Sequence, residues 1–319
     1  MGCDRHPGPA AALTTSRVST LLVLTAALTA CIDDHAREDA AEASPAPPVR
    51  LEDDGDHGPA RAEDCPAHVP FVASVRARVV DPAGAGVADA RVQLCVWTND
   101  GRMLCLEPGR SDAVGDVRIE VAPAARCMVS ATARVLLPQS QRPALYCGIE
   151  LPLDDASVTV ADPYLLIEAP GPGSLPPVGD EATPRAVAFE ELTVEVTPAA
   201  IGTEAYQRLA AVVVPPELAP ACLLVGAPAF DALIAFSPEA DVAGAGFPFA
   251  VDNTLGFEPG AHVELHVQGG LECSLDDGTQ VEKGAWHLLG AATVSADGAR
   301  VEAASATALP CLGWLALRR

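Results

Sequence analysis

Residues 72–123 read VASVRARVVDPAGAGVADARVQLCVWTNDGRMLCLEPGRSDAVGDVRIEVAP, with apolar and polar side chains alternating between turns marked by Gly, Pro and Asn99-Asp100-Gly101. A repeat of two marks strands with one buried face, because successive side chains leave the backbone on opposite sides. Val75, Ala77 and Val79 therefore share one face of a first strand, and Val92, Leu94 and Val96 share one face of a second. The Asn-Asp-Gly turn sends the chain back through Leu104 and Leu106, so Cys95 and Cys105 flank it and can face each other across the ladder. Gly84-Ala85-Gly86 invites comparison with a phosphate loop, but no strand-to-helix context follows it, and a turn is the better reading.

The same residues resemble the carboxypeptidase regulatory-like (transthyretin-like) sandwich. A first strand is followed by DPAGAGVADARVQL, then by SDAVGDVRIEV where the family has a Thr/Ser-Asp-x-x-Gly turn and a closing strand. The resemblance spans Val72 to Val121 and implies an accessory sandwich, not a catalytic unit. The cysteines and the long excursion from Cys127 to Ile167 depart from the simple family pattern.

Downstream, EAPGPGSLPPVGDEATPRA (Glu168 to Ala186) is too dense in Pro and Gly for regular structure, and lets two modules move unless a disulfide pins them. Beyond it FEELTVEV, LAAVVV, DALIAFS, AHVELHV, HLLGAATVSADGARVEA and LGWLALR form strand-like runs broken by Pro and Gly. No helices of about 10 to 15 residues alternate with them, so a second sandwich is expected rather than a parallel sheet. Gly246–Val267, Trp286–Val301 and Leu309–Leu315 resemble a module of envelope proteins of GC-rich Gram-negative bacteria, in which a Pro-Gly-led strand precedes a VSADG hairpin and a terminal Gly-Trp. That resemblance implies a non-catalytic extracellular sandwich.

Upstream, Arg17 precedes an apolar run from Val18 to Ala30 that closes on Leu28-Thr29-Ala30-Cys31. The run is too short to span a bilayer, which takes roughly 20 apolar residues, but fits a signal-peptide core of about 7 to 15. LTAC resembles the bacterial lipobox, whose cysteine is diacylated and becomes the first mature residue. Acyl chains contribute about 0.8 kcal/mol per buried methylene, enough for two or three to hold a protein on a membrane. Ile32, not Asp, follows Cys31, which under the enteric sorting rule resembles an outer-membrane address. The next stretch, to residue 67, is rich in Ala, Pro, Asp and Glu without an apolar period, and reads as a disordered acidic tether.

The expected fold class is therefore all-β. Two tandem disulfide-stapled β-sandwich domains, residues 68–167 and 187–319, stand behind a cleaved lipoprotein signal (1–30), the acidic tether (31–67) and the linker (168–186) between them.

Composition narrows the function classes. With 49% hydrophobic residues the 319-residue chain can fill cores, while a formal net charge of -23 argues against nucleic acid or anionic headgroups as partners. Of 10 cysteines, Cys3 leaves with the signal and Cys31 is the lipid attachment site. Cys65, Cys95, Cys105, Cys127, Cys147, Cys222, Cys273 and Cys311 remain as disulfide candidates, and no C-x-x-C pair suggests metal binding. Five precede the linker and three follow it, so if all pair, at least one bridge joins the two halves.

Motifs for catalysis are lacking: no nucleophile elbow, phosphate loop, Rossmann fingerprint or zinc-protease helix occurs. His262-x-Glu264-x-His266 is the one constellation to weigh. On a strand the three point to one face, but residues four apart are separated by about 13 Å and cannot share an ion. The weak metal candidates are thus His262 with Glu264, or Glu264 with His266, joined by His287 from a neighbouring strand. A solvated polar face explains the same pattern without a metal. Trp97, Trp286 and Trp314 read as core or sandwich-edge residues rather than sugar platforms. The expected protein is a non-catalytic, cofactor-free lipoprotein of the cell envelope. It is held to the membrane by its N-terminal lipid, at a periplasmic or surface face, and binds or scaffolds an envelope protein or glycan. A secreted metal-dependent hydrolase and a carbohydrate-binding adhesin are the rival readings.

Overall fold

The alternation in residues 72–123 becomes strand pairing in the computed structural model, which describes residues 61–303 and 307–319. The signal, Cys31 and the tether to residue 60 lie outside the described residues. Strand β1 (Ser74–Val80) pairs antiparallel with β5 (Asp116–Glu120) and parallel with β8 (Ser157–Thr159) and β9 (Tyr164–Leu165). A second sheet holds β2 (Arg91–Thr98), β3 (Met103–Cys105), β4 (Gly109–Arg110), β6 (Met128–Leu136) and β7 (Leu145–Gly148), in the order β3-β2-β6-β7 with β4 also on β2. The inward residues of both sheets, among them Val75, Val79, Leu94, Val96, Ile119 and Val135, bury one another in a single core, so this half is a sandwich.

Its turns are built by side chains. Asp81 Oδ1 accepts from the amides of Ala83 and Ala85, and Asp112 Oδ1 accepts from those of Val114 and Asp116. The two turns meet at Gly86 and Gly115, where a Cβ on either would stand 2.2 Å from backbone of the facing segment. Those glycines serve close backbone approach, not phosphate binding. Ser111 Oγ, buried beside them, accepts from Ala90 N and donates to the Val87 carbonyl.

The second half is one antiparallel sheet of nine strands. β10 (Arg185–Ala188), β11 (Leu192–Val196), β12 (Ala210–Val214), β13 (Ala232–Asp241), β14 (Phe249–Asp252), β15 (His262–Gln268), β16 (Trp286–Val294), β17 (Arg300–Glu302) and β18 (Cys311–Arg318) run in the order β10-β11-β14-β17-β16-β15-β18-β13-β12. Val187, Val194, Ile234, Phe249, Val263 and Leu315 from across the sheet share one core, so the sheet is rolled around its own apolar face. Register shifts between Ala235 and Ala240 on β13, and at Leu265/His266 opposite β16, supply the local bends that rolling needs. Three short helices, α1 (Pro198–Ile201), α2 (Thr203–Gln207) and α3 (Ala221–Leu224), interrupt the strands. The protein is all-β, with four disulfides among the described residues.

The described residues of both halves fall in one compact unit. Leu233, Ala235, Trp314 and Ala316 from the rolled sheet, with Phe230 just ahead of β13, are packed into the core of the sandwich. Trp314 is buried and its Nε1 donates to the Ala144 carbonyl at 2.8 Å. The bridges are Cys65–Cys127, Cys95–Cys105, Cys147–Cys222 and Cys273–Cys311. Cys95 and Cys105 sit directly opposite in register, and Cys147–Cys222 is the bridge between halves that the cysteine count calls for. Residues 61–67, placed in the tether on composition, are tied to the sandwich by Cys65 and by Arg61, which donates to the carbonyls of Pro66, Val69 and Leu153. The linker too is fastened: Tyr206 Oη donates to the Pro176 carbonyl, and Arg185 to those of Pro177 and Asp180.

Where the halves meet, Glu239 accepts from both Arg134 Nη2 and Tyr146 Oη. Burial pushes the Tyr146 hydroxyl up from 10.0 to about 12, with Arg134 opposing the shift, and burial likewise raises Tyr164. A native state that holds its phenol protons longer than the unfolded chain is stabilised in full below pH 10 and loses that stabilisation as the pH rises toward about 12. Tyrosinate absorbance of the folded protein is accordingly expected to lag the unfolded chain across that window, with the unfolding midpoint falling in step. A midpoint unchanged up to pH 12 would contradict it.

Candidate functional site: a groove at the junction

The outer face of the β2-β3-β6-β7 sheet is only partly covered. Because Leu94 and Val96 point inward, Cys95 and Trp97 point outward, followed across the strands by Met103, Ser130, Thr132, Arg134, Tyr146 and Gly148. At one end of this face Gln268 Nε2 donates to the Tyr146 and Gly284 carbonyls, and Gly284 lies close against Thr132. Beside that contact, among the described residues, the sheet face stays open, and a groove of about 990 Å³ runs over Trp97, Met103, Ser130 and Gly148. That is the upper part of the roughly 300–1,000 Å³ range of ligand pockets.

Two segments of the second half wall the groove. One is α3, held to β7 by Cys147–Cys222, with Val225 just beyond it 82% exposed. The other is residues 270–286, fastened by Cys273–Cys311 and ending in Trp286, whose Nε1 donates to the Leu223 carbonyl at 2.9 Å. Trp286 packs on Phe230 at 4.8 Å, and Phe230 on His266 at 5.4 Å. Trp97, Met103, Val225 and Leu271, all large, apolar and well exposed, converge on this one groove. Glu150, Gln280, Glu282 and Lys283 supply its polar groups.

A smaller cavity of about 370 Å³ adjoins the groove, sharing Gly270 and Leu271 with it, beside Arg134, Arg142 and Arg208. Its arginines are engaged within the chain: Arg134 by Glu239, Arg142 by the Leu166 carbonyl and Arg208 by Glu204.

The His-Glu-His strand is divided by its surroundings. His262 and Glu264 are exposed, whereas His266 is buried, its Nε2 3.3 Å from Glu264 Oε2. Arg318 Nη1 reaches the same carboxylate oxygen at 3.5 Å. His287 stands in register with Val267, on the opposite face of β15 from Glu264 and His266. The structure therefore does not bring His262, Glu264 and His287 together. Among the described residues no group of three His, Cys, Asp or Glu side chains is placed to hold an ion.

Of the tryptophans, Trp314 is core, Trp286 is half-buried at the wall and Trp97 is an exposed sheet-face residue. The groove draws on residues 95–103, 130–150, 222–225 and 270–286, segments that only tertiary structure assembles. No family model matches the chain, and no curated protein matches it either.

Proposed function

We propose that this protein is a non-catalytic binding module of the cell envelope, tethered to the outer membrane by lipid on Cys31, with the junction groove as its ligand site. The observation that carries the binding part is the convergence of Trp97, Met103, Val225 and Leu271 in one open groove. Large exposed apolar side chains scattered singly need no explanation, but gathered in a concavity they mark a surface meant to be covered. The oxidised cysteines support export, because such bridges persist outside the reducing cytosol. The LTAC motif, which lies outside the described residues, supports the anchor.

Two measurements test this. Cys31→Ala is expected to move the protein from the membrane fraction to the soluble extracytoplasmic fraction. Retention on membranes with no unprocessed precursor present would defeat the anchor. A photo-crosslinking amino acid at Val225 is expected to give one discrete adduct in cells, lost when Trp97→Ala is added. An adduct indifferent to Trp97, or none, would remove the groove from the function, and stoichiometric zinc in the purified protein would favour the hydrolase reading instead.

A further inference from the structure

We propose that the groove takes a polypeptide segment in which apolar side chains are flanked by lysine or arginine, a proposal that rests on the binding reading above. The lining is the first reason. Trp and Met beside aliphatic side chains, with a polar rim, is the make-up of a protein-binding patch, whereas sugar sites rely on aromatic platforms amid hydrogen-bonding groups. Four apolar residues exposed by 41–82% also leave the groove wet, which suits a segment that enters with its backbone solvated better than a bare acyl chain needing an enclosed cavity.

Charge is the second reason. Glu150 and Glu282 line the groove, and neither carboxylate has an ion-pair or hydrogen-bond partner among the described residues. The wall segment 270–284 carries Glu272, Asp276, Asp277 and Glu282 against Lys283 alone, four negative charges to one positive. With -23 on the whole chain, the field around the entrance steers cations inward and repels acidic segments.

The floor offers a way to test occupancy without breaking the fold. A Cβ built on Gly148 meets nothing within 4 Å and needs no unusual backbone angle, so a larger side chain there fills groove rather than core. The full chain carrying Cys31→Ala would be titrated with three labelled peptides that share a leucine and phenylalanine core and differ only in lysine, glutamate or serine flanks. The lysine-flanked peptide is expected to bind about tenfold or more tighter than the glutamate-flanked one at low salt, with the preference shrinking as salt rises. Gly148→Leu and Trp97→Ala should each weaken that binding about tenfold, and Glu150→Gln with Glu282→Gln should narrow the lysine preference. Equal or better binding of the glutamate-flanked peptide would overturn the proposal. So would failure of all three peptides while Gly148→Leu still abolishes the Val225 adduct in cells, an outcome that leaves the binding reading standing. An adduct untouched by Gly148→Leu would bring down both.

Discussion

Replacing Cys147 and Cys222 together by alanine is expected to cost up to about 4 kcal/mol of unfolding free energy, read as a lower urea midpoint. The two cysteines are 75 residues apart, and a bridge closing so long a loop removes much conformational freedom from the unfolded chain. The other three bridges each lie within one half, so this is the one cross-link whose loss lets the halves separate in the unfolded ensemble. It also fixes α3 to β7, and hence the wall of the groove to its floor. Peptide binding should therefore weaken in the double variant even where it is still folded. A change below about 1 kcal/mol would mean that the shared core alone holds the junction.

Trp314→Ala is expected to be as damaging, with a loss of about 3–5 kcal/mol for emptying a buried aromatic site. The reason is where the ring sits: its strand belongs to the rolled sheet, but its side chain fills the sandwich core. Trp314→Phe separates the two contributions, since it keeps most of the volume and leaves the Ala144 carbonyl without its donor, at about 1–3 kcal/mol. Both variants should still unfold in a single transition, because the halves share apolar contacts. Two resolved transitions in Trp314→Ala, where the parent shows one, would identify this contact as what couples the halves.

Much of the architecture was legible because it depends on short-range pattern. The outward course of Cys95 and Trp97 follows from Leu94 and Val96 pointing in, and the Cys95–Cys105 pair follows from the turn between them. Parity alone called for a bridge across the linker, although it could not choose Cys147 and Cys222. The rolled single sheet was not legible, since strand order among nine strands depends on long-range pairing such as β15 with β18, and β13 with β12. The position of His287 was hidden for a related reason: register, not spacing, sets its face, and the shift at Leu265/His266 lies between it and its supposed partners. Trp97 carried a usable signal in its alternation with Leu94 and Val96. Its meaning came only from α3 and residues 270–286, which arrive more than a hundred residues later in the chain.

The connectivity of the first two bridges has a consequence for biogenesis. Cys65–Cys127 encloses Cys95–Cys105, so the pairs are nested. A chain threaded N-terminus first into an oxidising compartment exposes Cys65 and Cys95 before Cys105 and Cys127 have arrived, and joining thiols in order of appearance gives the wrong pairs. Native pairing then requires either a delay in oxidation until β2 and β3 have met or reshuffling by thiol–disulfide exchange. The nesting thus makes the order of folding and oxidation matter: oxidation before β2 and β3 meet leaves misbridged chains that only thiol–disulfide exchange can correct, whereas oxidation after they meet needs no exchange.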